Sequence, residues 1–117
     1  MLEAATAQLI RRAGSATVGE LLCAQARRVP LRIAVDDGVH QRSFRELDER
    51  VNRLAHCLAG LGVVRGARVA ILSENRGECI EAVFASARLG AILCALNWHL
   101  TRDERKVQRQ QVERWLD

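Results

Sequence analysis

The chain contains 117 residues, of which 49% are hydrophobic and 27% charged, so it is long enough for one domain with a substantial core. The apolar fraction excludes a disordered chain, and 8 glycines with 1 proline exclude collagen-like and low-complexity sequences. The longest apolar run, residues 91–96, is much shorter than the roughly 20 residues of a membrane helix. We therefore expect a single domain without a membrane span.

Basic residues outnumber acidic residues by 18 to 14, which gives a net charge of +4. The arginines are scattered along the chain, acidic residues accompany almost every cluster, and aromatic residues make up only 3%. Nucleic-acid-binding proteins usually concentrate positive charge on one face and often add stacking aromatics, so we expect no nucleic-acid partner. The alternative is a small basic interaction module whose tail from Arg102 contacts nucleic acid or a partner protein.

The cellular compartment is predicted from the N-terminus and the cysteines. Glu3 lies within the first apolar stretch and the arginine pair at residues 11–12 follows it, which is not the pattern of a signal peptide. The cysteines have no C-x-x-C or zinc-finger spacing, and each lies among apolar neighbours. We expect a cytoplasmic protein with free and mostly buried thiols. The four cysteines are Cys23, Cys57, Cys79 and Cys94.

The first part of the chain predicts two helices. One helix is expected over residues 4–13, where a glycine follows it. The second begins at residues 17–20, Thr-Val-Gly-Glu, because a hydroxyl and a carboxylate at this spacing can satisfy free amides at a helix start. It is expected to run to about Val29, since Pro30 stops it.

A hairpin and the longest helix follow. The Asp-Gly pair at residues 37–38 lies between two short runs within residues 32–41 and favours a two-residue antiparallel turn. A second capping box, residues 43–46, begins a helix over residues 44–61. Apolar residues recur along this helix at three- and four-residue steps, which predicts one buried stripe. Gly62 fits a left-handed helix cap.

The second half of the chain predicts a βαβ unit. Residues 67–73 and 91–96 are rich in consecutive apolar residues and indicate buried strands, and residues 78–89 indicate a helix between them. Strands of this kind are typical of a parallel sheet that is covered on both faces. A last helix is expected over residues 102–117, where residues 101–104 again resemble a capping box, although this helix has few apolar residues to bury. The fold class is therefore α/β.

No motif predicts a catalytic, cofactor-binding or metal-binding residue. Gly60, Gly62 and Gly66 follow a helix and precede a strand, the reverse order of a dinucleotide-binding loop, and predict a helix cap and a turn. Residues 73–77 follow a strand and precede a helix, where α/β sheets bind ligands. They lack phosphate-binding residues, so we interpret them as a structural turn, with a ligand rim as the alternative.

The three histidines lie in different predicted elements and do not form a metal site. His56 lies beside the apolar stripe of the long helix and is expected to pack there. His99 follows a tryptophan near the end of a strand, without cysteine, aspartate or glutamate at metal-ligand spacing. The third histidine is His40.

Several stretches match one enzyme family in the right order along residues 17–104. Residues 62–72 are similar to a G-V-x-x-G-D-R-V-A strand entry, with Ala67 in place of aspartate. Residues 95–101 are similar to P-L-N-W-R-L-T, with Ala95 in place of proline. Together the stretches resemble the N-terminal start of AMP-forming acyl-CoA synthetases (fatty-acid–CoA ligases), members of the adenylate-forming, AMP-binding superfamily. The other matching stretches are residues 17–22, 26–30, 33–35, 43–47, 50–55, 74–75 and 89–93.

The resemblance implies a partial N-terminal domain of the adenylate-forming fold, with a β-hairpin and a parallel βαβ unit between helices. It divides the chain into an N-terminal helical extension at residues 1–16, a partial AMP-binding domain at residues 17–104 and a divergent polar helical tail at residues 105–117. The L-N-W-x-L-T form at residues 96–101 favours the acyl-CoA synthetases over the adenylation domains of peptide synthetases.

The family's reaction joins a fatty or other carboxylic acid to ATP, with Mg²⁺, and then to CoA. The phosphate loop with its lysine, the acidic Mg²⁺ ligand, the ribose-binding aspartate and the lysine of the mobile domain have no counterparts in these residues. The resemblance therefore implies a truncated ligase-family chain that supplies scaffold, is inactive alone and carries no site for ATP, Mg²⁺ or CoA. The polar sequence after Glu104 leaves a non-functional gene remnant as a further alternative. The pattern gives no oligomeric state.

Overall fold

The computed structural model describes residues 2–74 and 76–116 and confirms the α/β class. Within these residues, helices alternate with two small sheets, one antiparallel and one parallel. In chain order the elements are α1 (Leu2–Ser15), α2 (Val18–Arg28), β1 (Ile33–Asp36), β2 (Gln41–Ser43), α3 (Phe44–Gly60), β3 (Arg68–Leu72), α4 (Gly77–Leu89), β4 (Ile92–Leu96) and α5 (Arg102–Leu116).

Three helices begin at the capping boxes that the sequence predicts. At α2 the backbone N–H of Thr17 donates to the Glu20 carboxylate at 2.9 Å, and this bond lowers the pKa of Glu20 from its ordinary 4.5. At α3 the N–H of Ser43 donates to Glu46 at 2.8 Å, and the N–H of Glu46 donates to the Ser43 hydroxyl at 3.2 Å. The same bonds form at residues 101–104 before α5. Local sequence therefore determines where these helices start.

The hairpin forms as predicted, but its turn is longer than two residues. Asp36 pairs with Gln41, so four residues form the loop. The Asp37 carboxylate accepts hydrogen bonds from the N–H groups of Val39 at 3.0 Å and His40 at 2.7 Å. The predicted two-residue turn is wrong because this side chain satisfies the backbone of a wider loop.

The apolar stripe of α3 forms the centre of the core. Val51 of α3 and Ala85 of α4 are fully buried. Leu47 of α3 and Leu22 of α2 are each only 3% exposed. Burying one such aliphatic side chain contributes about 1.5–3 kcal/mol. The contacts pack α2 and α4 against α3, as the periodicity of α3 predicts.

Ion pairs cross the same helix interfaces. The Arg50 guanidinium of α3 donates to the Glu81 carboxylate of α4, with Nη2 and Oε2 3.3 Å apart, and this contact raises the pKa of Arg50. The Arg88 guanidinium of α4 donates to Asp48 of α3 and, at 3.4 Å, to the Gly19 carbonyl of α2. A Cβ on Gly19 would lie 3.1 Å from the Arg88 backbone, which is tighter than most Cβ contacts, so the close approach of α2 and α4 favours glycine. These polar contacts define the orientation of three helices around one core.

The βαβ unit forms as predicted, with β3 and β4 parallel and in register from Arg68–Ile92 to Leu72–Leu96. The strands are only half-buried, and Leu72 and Ile92 are 61% and 52% exposed. The expectation of strands buried on both faces is therefore wrong for the described chain. Helix α4 contacts both strands, but α5 contacts β3 with few apolar side chains, so much of the sheet remains accessible to solvent.

Glycines close two of the helices with left-handed backbone conformations. Gly62 follows α3 with φ +94°, and the next N–H, of Val63, donates to the Leu58 carbonyl at 3.0 Å. Gly90 ends α4 with φ +67°. These residues form caps and turns, as the sequence predicts, because a Cβ is strained at positive φ. No helix among the described residues is long and apolar enough to cross a membrane.

One buried hydroxyl is not satisfied. Ser86 in α4 is 1% exposed, and its Oγ has no hydrogen-bond partner within the described structure. We expect Ser86→Ala to raise the free energy of unfolding by about 1 kcal/mol, because it removes an uncompensated desolvation cost. Urea denaturation at neutral pH measures the change.

The neighbouring Ala85→Ser variant is the matched control for Ser86→Ala. Ala85 is 0% exposed, so a hydroxyl there is expected to lower the free energy of unfolding. A loss of stability in Ser86→Ala would show that its hydroxyl is stabilising and would contradict the account given above.

Candidate functional site

The carboxyl ends of β3 and β4 border a cavity of about 310 Å³. The two strands end side by side, and open α/β sheets bind ligands at this edge. Apolar side chains of the strands and of α4 line part of the cavity, and Ser73, Cys79, Asn97, Trp98 and His99 supply the rest. We call it the carboxyl-edge cavity. It is the candidate site because it combines concavity, this topological position and polar groups.

The β4 side of the cavity carries two aromatic rings in contact. The Trp98 and His99 ring centroids are 3.6 Å apart, with the planes inclined by 33°. The backbone N–H of His99 donates to the Asn97 side-chain oxygen at 2.9 Å, which closes the turn after β4. Trp98 is 39% exposed. An aromatic surface held in this way can support a planar ligand group by stacking.

The β3 side of the cavity is a turn whose polar groups bind one another. The Ser73 hydroxyl and the Cys79 thiol both donate to the Glu74 carbonyl, each at 3.0 Å. Arg76 donates to the Glu74 carboxylate at 3.3 Å. These contacts favour the structural-turn interpretation of residues 73–77. Asn75, one of the five residues interpreted as this turn, lies outside the described residues.

The N-terminus of α4 already holds a carboxylate from the same chain. The Gly77 N–H donates to Asp37 at 3.1 Å, and the same carboxylate accepts from Val39 and His40. These backbone hydrogen bonds, with the bond from His40 largest, lower the pKa of Asp37 from 3.8 to about 2. The positive end of a helix attracts anions, and here Asp37 occupies that position. The start of α4 is therefore not free to bind a phosphate.

The histidines singled out from the sequence lie in three different parts of the fold. His40 lies in the hairpin loop, His99 lines the carboxyl-edge cavity, and His56 lies on α3. His56 is exposed, so the expectation that it packs beside the apolar stripe is wrong. Within residues 2–74 and 76–116 no cluster of three metal-ligating side chains occurs.

The thiols are free, as predicted, but their burial differs from the expectation. Cys57 is exposed on α3, whereas the other three are half-buried. Its apolar neighbours in the sequence belong to the helix stripe, and Cys57 itself lies outside that stripe. Apolar neighbours along the chain therefore do not imply burial for a residue on a helix.

The contact between Asp37 and Gly77 was missed by sequence reasoning. The Asp-Gly pair signals a turn, and this local role accounts for Asp37 without any distant partner. Arg76 is the N-cap residue of α4, and its side chain makes no capping hydrogen bond. This is the only local signal that another group satisfies this helix end. Nothing in the sequence pattern identifies that group as an aspartate forty residues away.

The described residues form an α/β fold with a cavity at the carboxyl edge of its parallel strands, and comparison with known families is more specific. The model of the family described as AMP-binding enzyme matches residues 22–113. The chain belongs to this family. The match begins within α2 and includes most of α5, while α1 lies before it.

Two relatives indicate the range of enzymes that share this segment. The 3-oxocholest-4-en-26-oate–CoA ligase of Rhodococcus rhodochrous is 37% identical over 76 residues, which is 65% of this chain and 14% of that ligase. The isonitrile lipopeptide synthase of Mycobacterium tuberculosis is 41% identical over 75 residues, 64% of this chain and 3% of the synthase. The chain therefore spans about a seventh of the length of the first relative.

Solved structures confirm the fold predicted from the resemblance. The O-succinylbenzoate coenzyme A synthetase of Bacillus subtilis, in complex with ATP and magnesium, superposes with a TM-score of 0.68 and 36% identity over 76% of this chain and 24% of that one. The N-terminal subdomain of Klebsiella oxytoca NpsA, in complex with anthranilyl-AMSN, superposes with a TM-score of 0.72 and 26% identity. This match covers 80% of this chain and 24% of that one. The chain thus has the fold of part of an adenylate-forming N-terminal domain.

The hydrogen bonds that Asp37 accepts from His40, Val39 and Gly77 of α4 predict an acid-sensitive fold. Because its pKa is lowered from 3.8 to about 2, the stabilisation is fully present above pH 3.8 and is lost as the pH falls towards 2. In Asp37→Asn this component is absent, so the melting temperature should fall less steeply between pH 4 and pH 2 than in the wild type. Thermal melts across this pH range measure both slopes.

Asp103→Asn is the matched control for the acid-stability experiment. The Asp103 carboxylate is exposed and contacts Lys106 at 3.8 Å on the surface of α5. Its substitution should leave the wild-type slope unchanged, because exposed pairs of this kind contribute little. Equal slopes in the wild type and Asp37→Asn would contradict the proposed stabilisation.

The exposure of Cys57 predicts one rapidly reacting thiol. An aromatic disulfide reagent should modify one group quickly in the folded protein and four groups in denaturant without reductant. In Cys57→Ser the fast phase should disappear, whereas Cys94→Ser should keep it. Fewer than four groups in denaturant would indicate a disulfide and contradict the free-thiol assignment.

Proposed function

We propose that the chain is a scaffold segment of an AMP-forming acid–CoA ligase. The parent reaction activates a carboxylic acid with ATP to an acyl-adenylate and pyrophosphate, and CoA then displaces AMP. The observation that carries the proposal is the family match over residues 22–113, joined to a fold that the CoA synthetase of known structure shares over 76% of this chain. The sequence stretch at residues 96–101 favours the CoA ligases over the peptide synthetases among the matched relatives.

The described residues do not fit ATP and Mg²⁺ as ligands of this segment alone. The N-terminus of α4 is occupied by Asp37, and Arg76 is engaged with Glu74. The described residues contain no triad of metal-ligating side chains. Positioned cations and amides stabilise the charge that develops in adenylyl transfer, and the Arg76 guanidinium and the Gly77 amide at this edge are already engaged within the chain. The segment is therefore proposed to carry no catalytic residue of its own.

Its proposed contribution is positional. The buried α3 stripe and the pairs Arg50–Glu81 and Arg88–Asp48 hold α4 in one place, and α4 joins the two parallel strands. The carboxyl-edge cavity then presents Trp98 and His99 at the edge where α/β sheets receive ligands. In a complete ligase this surface would form one wall of a ligand site rather than a centre of chemistry.

The basic interaction module has less support than the scaffold proposal. Charges on α5 pair within the helix, Lys106 with Asp103 and Arg109 with Glu113, as on a solvated helix surface. We accordingly propose no nucleic-acid partner. The dependence of the parent reaction on ATP and CoA, together with free thiols, favours the cytoplasm as the compartment.

ATP–pyrophosphate exchange tests whether the chain is active by itself. Purified chain with Mg²⁺ and a panel of fatty acids should give no exchange above the enzyme-free background, because it lacks cations positioned for adenylyl transfer. The Bacillus subtilis O-succinylbenzoate CoA synthetase with its own substrate is the positive control. Exchange above background with any acid would overturn the proposal that the segment is non-catalytic.

A chimaera tests the scaffold role in the same assay. Residues 22–113 would replace the corresponding segment of the Bacillus subtilis synthetase, and we expect exchange activity to be retained. Trp98→Ala in the chimaera should preserve folding and raise KM more than it lowers kcat. A folded chimaera without exchange activity would show that the segment does not supply an interchangeable scaffold.

A further inference from the structure

A second concavity, distinct from the carboxyl-edge cavity, lies where α2 ends and β1 and α3 begin. It has a volume of about 340 Å³, at the lower end of the range for small-molecule pockets. We call it the basic groove. Its lining residues are Gln25, Arg28, Val29, Arg32, Ile33 and Phe44.

The charge of the basic groove is positive and uncompensated. No acidic side chain lines it, and Arg28 and Arg32 have no ion-pair partner among the residues that the structure describes. The arginines of the helix interfaces, by contrast, are paired with carboxylates. Arg28 in the last turn of α2 also complements the helix dipole, but Arg32 lies outside any helix and has no such role.

Backbone hydrogen bonds hold the walls of the basic groove together. The Phe44 N–H donates to the Arg32 carbonyl at 3.0 Å, the Arg45 N–H to the Pro30 carbonyl at 3.1 Å, and the Arg32 N–H to the Val29 carbonyl at 3.2 Å. These bonds satisfy carbonyl groups that would otherwise repel an anion. They also join the end of α2 to the start of α3, so the groove is formed before a ligand arrives.

The remaining surface of the basic groove is apolar. Val29 and Phe44 are half-buried, and Phe44 packs against the core through its position at the start of α3. Ile33 is 53% exposed. A guanidinium presents parallel N–H donors that match the two oxygens of a carboxylate or phosphate, and the apolar surface beside it can accept a compact hydrocarbon group.

We propose that the basic groove binds a small amphipathic anion, a carboxylate or phosphate monoester attached to a compact apolar group. Arg28 and Arg32 bind the anionic oxygens, and Gln25 adds an amide donor. Ile33 and Phe44 contact the apolar part. The concave shape and modest volume favour a small molecule over an extended macromolecular surface.

Titration of the full chain followed by NMR tests the proposal with phenyl phosphate and benzoate. Phenyl phosphate should bind at least tenfold more tightly than inorganic phosphate or neutral benzyl alcohol, and the Phe44 ring and Arg Nε–H signals should shift. The ratio of phenyl phosphate to benzoate affinity distinguishes a phosphate ligand from a carboxylate ligand, and binding of either supports the proposal.

Variants separate the basic groove from general electrostatic attraction. Arg28→Gln and Arg32→Gln should each weaken phenyl phosphate binding at least fivefold. Arg27→Gln is the matched control, since it removes the same charge from α2 outside the groove lining, and it should change the affinity less than twofold. Ile33→Ser should weaken the binding of phenyl phosphate but leave the binding of inorganic phosphate unchanged.

Three results would overturn the proposal. The first is an equal loss of phenyl phosphate affinity in Arg27→Gln and Arg32→Gln, which would indicate unspecific charge attraction. The second is equal affinity for inorganic and phenyl phosphate, because the apolar surface would then have no role. The third is an absence of binding to both organic probes, including the case in which the chain binds anionic phosphatidylglycerol vesicles instead.

Discussion

Burial of the α3 stripe against α2 and α4 is the contact on which the other features of the molecule depend. Val51 and Leu47 exclude water from the centre, and the ion pair between Arg50 and Glu81 crosses the same interface. Apolar burial supplies most of the free energy, whereas partly buried charges add orientation more than stability. With α4 held in this way, β3 and β4 are brought side by side, and their carboxyl ends share one edge.

The carboxyl edge keeps the architecture of the family fold in a segment for which we propose no catalytic residue. The turn after β3 uses its hydroxyl, thiol and guanidinium internally, and Asp37 occupies the positive end of α4. The groups that would attract a phosphate are therefore engaged within the chain. The Trp98 and His99 rings remain accessible, which is consistent with a wall of a larger ligand site.

The basic groove and the carboxyl-edge cavity differ in the physical properties that govern recognition. One combines unpaired guanidinium groups with an apolar surface, and the other combines two aromatic rings in contact with polar groups that already have partners. The groove lies within the matched family segment, at the junction of α2, β1 and α3. Its chemistry arises from the ends of elements rather than from any contiguous motif.

The sequence by itself determined the features that depend on neighbouring residues. Capping boxes predicted the starts of α2, α3 and α5, the period of the α3 stripe predicted the core, and the ordered stretches of residues 17–104 predicted the family. Only the tertiary structure decided the contacts between distant residues. Asp37 reaches α4, Arg88 reaches α2 and α3, and Phe44 of α3 joins Arg28 and Arg32 in lining one groove. Local patterns follow from backbone geometry within a few residues, whereas these contacts depend on how whole elements pack.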